Sequence, residues 1–450
     1  MLAGCRIFER SIHGSAVAVP GTPQCRQVRG RLMTGATGHA VRSGAARVFF
    51  ILCAFLTLVQ INRLGGGVIA NALIEQRGIS PAEIGVVIGI MSLAAAFVQI
   101  PMGVLFDRYG ARLTTSALSL IAVCGMVLFA VSDNAAGLVG GRVLLGFGHA
   151  GAVTTVYLIV LGWVTPDRVA TVSARLIALS GAASGLLATA PLAIMLQQAG
   201  FTVTFLLLAS AILLVTILIF LWGRDHPPGV ARPDRPQESL GQAFSAILTM
   251  LRDRDLRGTL IMASCFAAPF ATVGGLWAGP YLKEVHGLGQ TEAGYALLAM
   301  VLAQNAGTLG FGPLDRALNS RKRVVLGSCM LMVLLLGIMV MIPQPPLWLA
   351  KLLLIAFSFV SPFFVVLAAH CRGFVPNHLA GRAITAMSLV GVGTIFFAQW
   401  ITGLVVDIAG GGSDLAYRLV FACVAGLIVV AAAFYSRVRD IPPSDPASGP

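Results

Sequence analysis

Gly103-Val104-Leu105-Phe106-Asp107-Arg108-Tyr109-Gly110-Ala111-Arg112 is a short charged turn between two apolar runs, at about 84–106 and 112–132. A helix needs about 20 apolar residues to cross the hydrocarbon of a bilayer, and each run supplies that many. Ten more runs of similar character flank them, at about 47–73, 137–163, 171–195, 201–222, 258–282, 291–313, 324–343, 347–371, 383–408 and 416–436. Gly and Pro recur inside them, as membrane helices tolerate. The ten-residue alternating segments of a membrane β-barrel are not seen.

Composition agrees. Of 450 residues, 57% are hydrophobic and 11% charged, and the mean hydropathy is +0.87. A soluble domain carries roughly a quarter charged residues, so a soluble enzyme, a disordered chain and a disulfide scaffold are excluded. The eight Cys form no Cys-x-x-Cys pair, and small buried roles suit them.

The net charge of +13 would suggest nucleic acid in a soluble protein. Its distribution gives another reason. With the N-terminus inside, 25 of the 31 Lys and Arg fall in cytoplasmic pieces, and only Arg77, Lys283 and Arg418 fall in outer loops. By the positive-inside rule both termini are cytoplasmic, and no nucleic-acid partner is called for.

The loop 223–257 separates six spans from six. It holds Pro227, Pro228, Pro233 and Pro236, and then a stretch at 242–251 suited to lying on the membrane surface. The expected organisation is a basic N-terminal segment at 1–46, a six-helix bundle at 47–222, a cytoplasmic central loop at 223–257, a second bundle at 258–437 and a tail at 438–450. The first segment has one acid, Glu9, and no clean apolar core of a signal peptide. Met33 is an alternative start.

The two halves repeat one another. Asp107-Arg108 returns as Asp315-Arg316, 208 residues on. Arg142-Val-Leu-Leu returns as Lys351-Leu-Leu-Leu, and Gly65-Gly66 as Gly274-Gly275, each 209 residues on. Three matches in one register indicate two homologous six-helix bundles.

The loop from Gly103 to Arg112 resembles the Gly-x-x-x-Asp-Arg-x-Gly-x-Arg motif of the major facilitator superfamily. Twelve spans, a long central loop and the degenerate second copy complete the resemblance over about 47–437. It implies an all-α polytopic membrane protein of two pseudo-symmetric bundles that works by alternating access in the bacterial inner membrane. It also implies that Gly103, Asp107, Arg108, Gly110 and Arg112, with Asp315 and Arg316 as a looser second copy, latch the cytoplasmic side in the outward-open state. On physical grounds Gly103 permits close packing, Asp107 suits a helix N-terminus, and Arg108 and Arg112 suit lipid phosphates or carboxylates.

Cations inside spans are functional by default. Arg63 lies deep in the first span, within Gln60-Ile61-Asn62-Arg63-Leu64-Gly65-Gly66-Gly67. It is expected to face a cavity or to pair with Glu75 or Asp407. Arg142 resembles the family's fourth-span Arg and shares a helix face with Gly146 and His149; snorkelling to the outer surface is its alternative. Lys351, with Ser358 on its face, either reaches the site or snorkels outward. Gln304, Asn305, Gln399 and Trp277 complete the candidate substrate site, with Trp277 near the outer gate or in the interfacial aromatic belt. Single hydroxyls are expected to bond their own helix.

The expected function is a secondary transporter or facilitator for a small organic anion or zwitterion, since Arg binds carboxylates bidentately. Symport and antiport both stay open. Trp277-Ala278-Gly279-Pro280-Tyr281 resembles a branch of bacterial carriers related to lysosomal dipeptide transporters. Proton-coupled efflux of drugs or sugars is the alternative. It calls for a mid-span acid and a Gly-Pro-x-x-Gly run in the fifth span, where this chain has Gly181, Gly185 and Pro191. A proton is the candidate coupling ion, with His149, Asp107 and Asp407 as weak carriers. A sensor on the same fold would call for larger soluble domains. No cofactor is expected, no Walker motif is present, and a monomer in the bilayer is expected.

Overall fold

The computed structural model describes residues 36–164, 166–225, 252–376 and 380–443. Most of the central loop, including the 242–251 surface stretch, and nearly all of the N-terminal segment lie outside the described residues. The chain divides into two compact units, Met1–Arg47 and Val48–Pro450. Of the first, only helical residues 36–47 are described; the second holds all twelve spans.

The described residues are helical, with no strand among them. Ten helices are long and apolar enough to cross a membrane, and Thr171–Leu187 is a shorter apolar one. Gln290–Ala317 supplies span 8; Gln304 and Asn305 interrupt its apolar run. In order, the helices trace the twelve spans.

Span 5 is a helix at Pro166–Leu187, a turn at 188–189 and a second helical piece that begins at Ala190. The chain leaves helical geometry at Gly200, whose φ of +76° suits a residue without a Cβ, and span 6 follows from there to Trp222.

Every third span is broken near its middle. Span 1 breaks at Gly65, span 4 at 150–151, span 7 at 264–267 and span 10 at 361–363. Span 7 adds a π-helical turn at Val273–Trp277. The sequence explains the breaks locally. Gly151 takes φ +74°, and Pro269 and Pro362 cannot continue an α-helical ladder. Irregular backbone at membrane depth is tolerated where it lines a cavity or is buried in protein. Broken helices at the midplane are where transporters place their sites.

The halves meet most closely at their outer ends. A methyl group at Gly66 would overlap the carbonyl oxygen of Gly275. One at Gly279 would sit 2.8 Å from the Gly67 carbonyl, and one at Gly403 2.7 Å from that of Pro81. Spans 1 and 7, and 2 and 11, thus touch backbone to backbone on that side, as small residues allow in bilayers. An ion pair of Glu75 with Lys283 bridges the same edge, and Thr291 donates to Gln197 at 3.0 Å between spans 8 and 5.

Candidate functional site

The polar groups of spans 1 and 4 converge just inside their breaks. Arg142 is 1% exposed, which excludes snorkelling to the outer surface. Its Nη1 donates to the Asn62 carbonyl at 3.1 Å and lies 3.7 Å from the Met91 sulfur. Its guanidinium stands 4.5 Å from the Phe129 ring centroid. Nε and Nη2 have no partner among the described residues. His149 is likewise enclosed, with both ring nitrogens unpartnered, and it lies within electrostatic reach of both Arg63 and Arg142.

Arg63 differs from both: one residue, Leu64, separates it from the break in span 1, and its side chain is exposed. Glu75, one candidate partner, is committed to Lys283, and no ion pair to Arg63 forms among the described residues. Gln60 is half-buried on the same helix, while Asn62 is buried and returns its amide to the Leu58 carbonyl at 3.0 Å.

The second half contributes differently. Gln304 and Asn305 are half-buried, and Asn305 faces Gly181 and Gly185 of span 5. Gln399 is buried between the halves. Its Nε2 donates to the Ala271 carbonyl at 2.9 Å, and its Oε1 is unpartnered beside Gly89. Ser358 is enclosed and bonds its own helix at Leu354, 2.7 Å away. Trp277 is fully enclosed. Its indole donates to Thr402 at 2.8 Å and meets Tyr417 edge-on, so it packs inside the second half and presents no surface to the cavity. Lys351 stands near His286 of the outer loop, away from the Arg63 cluster. Burial, aided by Lys351, holds the His286 imidazole below the ordinary histidine range, against the pull of Asp414. Among the described residues no cluster of three or more His, Cys, Asp or Glu forms that could hold a metal.

The cytoplasmic loop corrects one expectation. Gly103 is exposed, and a methyl group there would meet nothing within 4 Å; it makes no close packing in this state. Arg112 turns toward the end of span 6. Its backbone N–H donates to Asp225 at 2.8 Å and its Nε to the Phe220 carbonyl at 2.8 Å. Gly110 is needed for its φ of +84°. Asp107 is half-buried, and Arg108 is exposed beside Tyr109. Asp315 lies 3.7 Å from Arg321, while Arg316 is exposed.

Asp225 belongs to a second repeat, which motif reading misses. Gly223-Arg224-Asp225-His226-Pro227-Pro228 ends the first half, and Val438-Arg439-Asp440-Ile441-Pro442-Pro443 ends the second, 215 residues on. Asp225 receives the N-terminal amide of span 3. Asp440 receives that of span 9 from Lys322, at 3.1 Å, together with the Ser320 hydroxyl. Trp163 at the end of span 4 donates to the Arg224 carbonyl at 2.6 Å. His370 at the end of span 10 lies 3.0 Å from the Arg439 carbonyl. Each half is thus stitched at its cytoplasmic face through its own Arg-Asp pair. Comparing the chain with itself at an offset of 215 would have found it. Asp440→Asn is expected to cost about 1 kcal/mol, the scale of a lost helix cap, seen as a lower melting temperature with ligand affinity unchanged.

A family model, the Major Facilitator Superfamily, matches residues 49–398. The chain belongs to the Major Facilitator Superfamily. It is 41% identical over 83 residues to the inner membrane transport protein YajR of Escherichia coli, which is 18% of each protein. It is 34% identical over 103 residues to the nitrate/nitrite transporter NrtP of Picosynechococcus, 23% of this chain and 19% of that one. The matched segments therefore span less than a fifth of either relative. Among solved structures, a bacterial homologue of the human lysosomal transporter Spinster, inward-facing and occupied, superposes with TM-score 0.69 at 18% identity, covering 88% of this chain and 97% of that one. The nucleoside transporter NupG superposes with TM-score 0.70 at 14% identity, covering 87% and 100%. This member of the superfamily is a multi-pass helical membrane protein, with ten helices among the described residues long and apolar enough to cross a membrane.

Proposed function

We propose that this transporter carries a small organic anion or zwitterion, which its Arg63 holds in a cavity between the halves. The supporting observation is Arg63 itself, accessible at mid-membrane depth and without a carboxylate partner among the described residues. A fixed cation in such a place needs water, a counter-charge or a ligand. Arg142 and His149 stand behind it as a buried second layer. Arg142 grips the Asn62 carbonyl one residue away and fixes the backbone that carries Arg63. The outer ends of the halves are in contact, so the cavity opens toward the cytoplasm in this state. The solute leaves or enters when the contact shifts to the loop 103–112 on the other side.

The reading is tested by a thermal-shift screen of the purified protein against carboxylates, nitrate, nucleosides and cationic amphiphiles. Ligand stabilisation grows as RT ln(1 + [L]/Kd). Carboxylates are expected to raise the melting temperature. A response only to cationic amphiphiles or nucleosides overturns the anion reading.

A further inference from the structure

A cleft of about 640 Å³ opens on the bilayer-facing side of spans 2, 3 and 6, at their cytoplasmic ends. Leu105 and Tyr109 of span 2, Leu113 and Ser116 of span 3, and Ile217 and Phe220 of span 6 line it. None of its lining residues belongs to the Arg63 cluster. Tyr109, Leu113, Ile217 and Phe220 are all exposed.

In a bilayer such a cleft does not stay empty, because unfilled space forfeits the dispersion contacts of its walls. Lipid tails are as apolar as Leu, so the walls alone select nothing. Selection comes from two polar features. The exposed Arg108 guanidinium stands 5.4 Å from the Tyr109 ring centroid, and that of Arg112 stands 5.4 Å from the Phe220 ring centroid. Both rings line the cleft, so two cations mark its mouth at the headgroup level. Arg112 is partly committed to the Phe220 carbonyl, which leaves Arg108 as the available donor.

The second feature lies within the wall. Thr114 bonds the Leu105 carbonyl at 3.1 Å and Thr216 that of Ile212 at 2.7 Å. Ser116 is 5% exposed and its hydroxyl has no partner. It lies one and a half turns into the helix Ala111–Val131, about 7 Å below its start. That is the depth of an acyl ester beneath a phosphate held at the mouth.

We propose that this cleft binds one anionic glycerophospholipid of the inner leaflet: phosphate on Arg108, an ester carbonyl on the Ser116 hydroxyl, an acyl chain along Leu113 to Ile121. The site lies on the loop between spans 2 and 3, so its occupant bears directly on the segment that must move in the cycle.

Native mass spectrometry of the delipidated full-length protein tests this, with phosphatidylglycerol and phosphatidylcholine of identical chains offered in equal amounts. The wild type is expected to retain one phosphatidylglycerol in preference. Arg108→Gln is expected to lower that preference about fivefold, as one interfacial basic residue contributes. Ala117→Trp, which fills the cleft from a lipid-exposed position, is expected to lose the bound lipid, and Ala117→Leu does so more mildly without crowding the fold. Equal retention of the two lipids by the wild type overturns the proposal. So does retention of phosphatidylglycerol by both Ala117 variants, and so does equally strong binding of glycerol 3-phosphate, which has the charge without the chains.

Discussion

Arg63→Gln is expected to abolish solute binding while leaving the protein folded. If Arg63 meets an anionic group in a water-poor cavity, removing the charge costs about 2–5 kcal/mol, or roughly 30- to several thousand-fold in Kd. Arg63→Lys keeps the charge and loses the planar fork, so an intermediate affinity is expected. The ligand-free melting temperature should hold, because Arg63 is exposed and makes no ion pair among the described residues that the change would break. Isothermal titration with the best ligand of the thermal screen, beside a melting curve without it, separates the outcomes. A sharp fall in melting temperature together with normal residual binding would make Arg63 a structural member of the bundle and defeat the anion reading. Its counterpart in the second half is Thr272, so the repeat does not require a cation there.

Gly66→Val is expected to drive the protein toward the outward-open state. The position faces the Gly275 carbonyl with no room for a methyl group. The oxygen is backbone and a Cβ is fixed by the backbone that carries it, so neither can rotate away. Overpacking of this kind costs about 1–3 kcal/mol, which moves a two-state equilibrium by about 5- to 150-fold. The opposite state relieves the overlap, because the outer ends part. Spin labels on the outer ends of spans 1 and 7 should report longer distances in the variant. An unchanged distance distribution in a folded variant would show that this contact does not set the balance. Glu75→Gln loosens the same edge, with a smaller effect, because an exposed pair contributes little.

Most of the architecture was legible because a bilayer imposes a simple rule: twenty apolar residues make a span, and Lys and Arg mark the inside. The loop 103–112 and its copy at 315–316 placed the chain in its superfamily, and the Gly65-Gly66 repeat with Gly274-Gly275 found two segments that touch across the halves. Helix continuity was less legible. Gly65 to Gly67 pointed to a loosened helix in span 1, but hydropathy alone does not locate the break at 361–363, which lies inside an apolar run long enough for one helix. Depth alone marked Arg63 as a candidate, whereas the surroundings of Trp277 were not legible. A large aromatic near an outer end reads equally as gate, interface belt or packing, and only the Thr402 bond separates these. The stitch of Arg224-Asp225 and Arg439-Asp440 escaped because charged residues at cytoplasmic ends look like ordinary positive-inside loops.

Those stitches join spans only within their own half. The described bonds at Asp225 and Asp440 therefore survive when the halves rock, and each half behaves as a stiff lever with a rim at either end. In the proposed cycle the resting state is set by a small difference between two rims, the glycine contacts outside and the loop 103–112 inside. Turnover is fastest when the two are matched in free energy. A substitution that tightens one rim alone makes a sturdier protein and a slower carrier, so thermal stability and transport rate should part company along any series of rim variants.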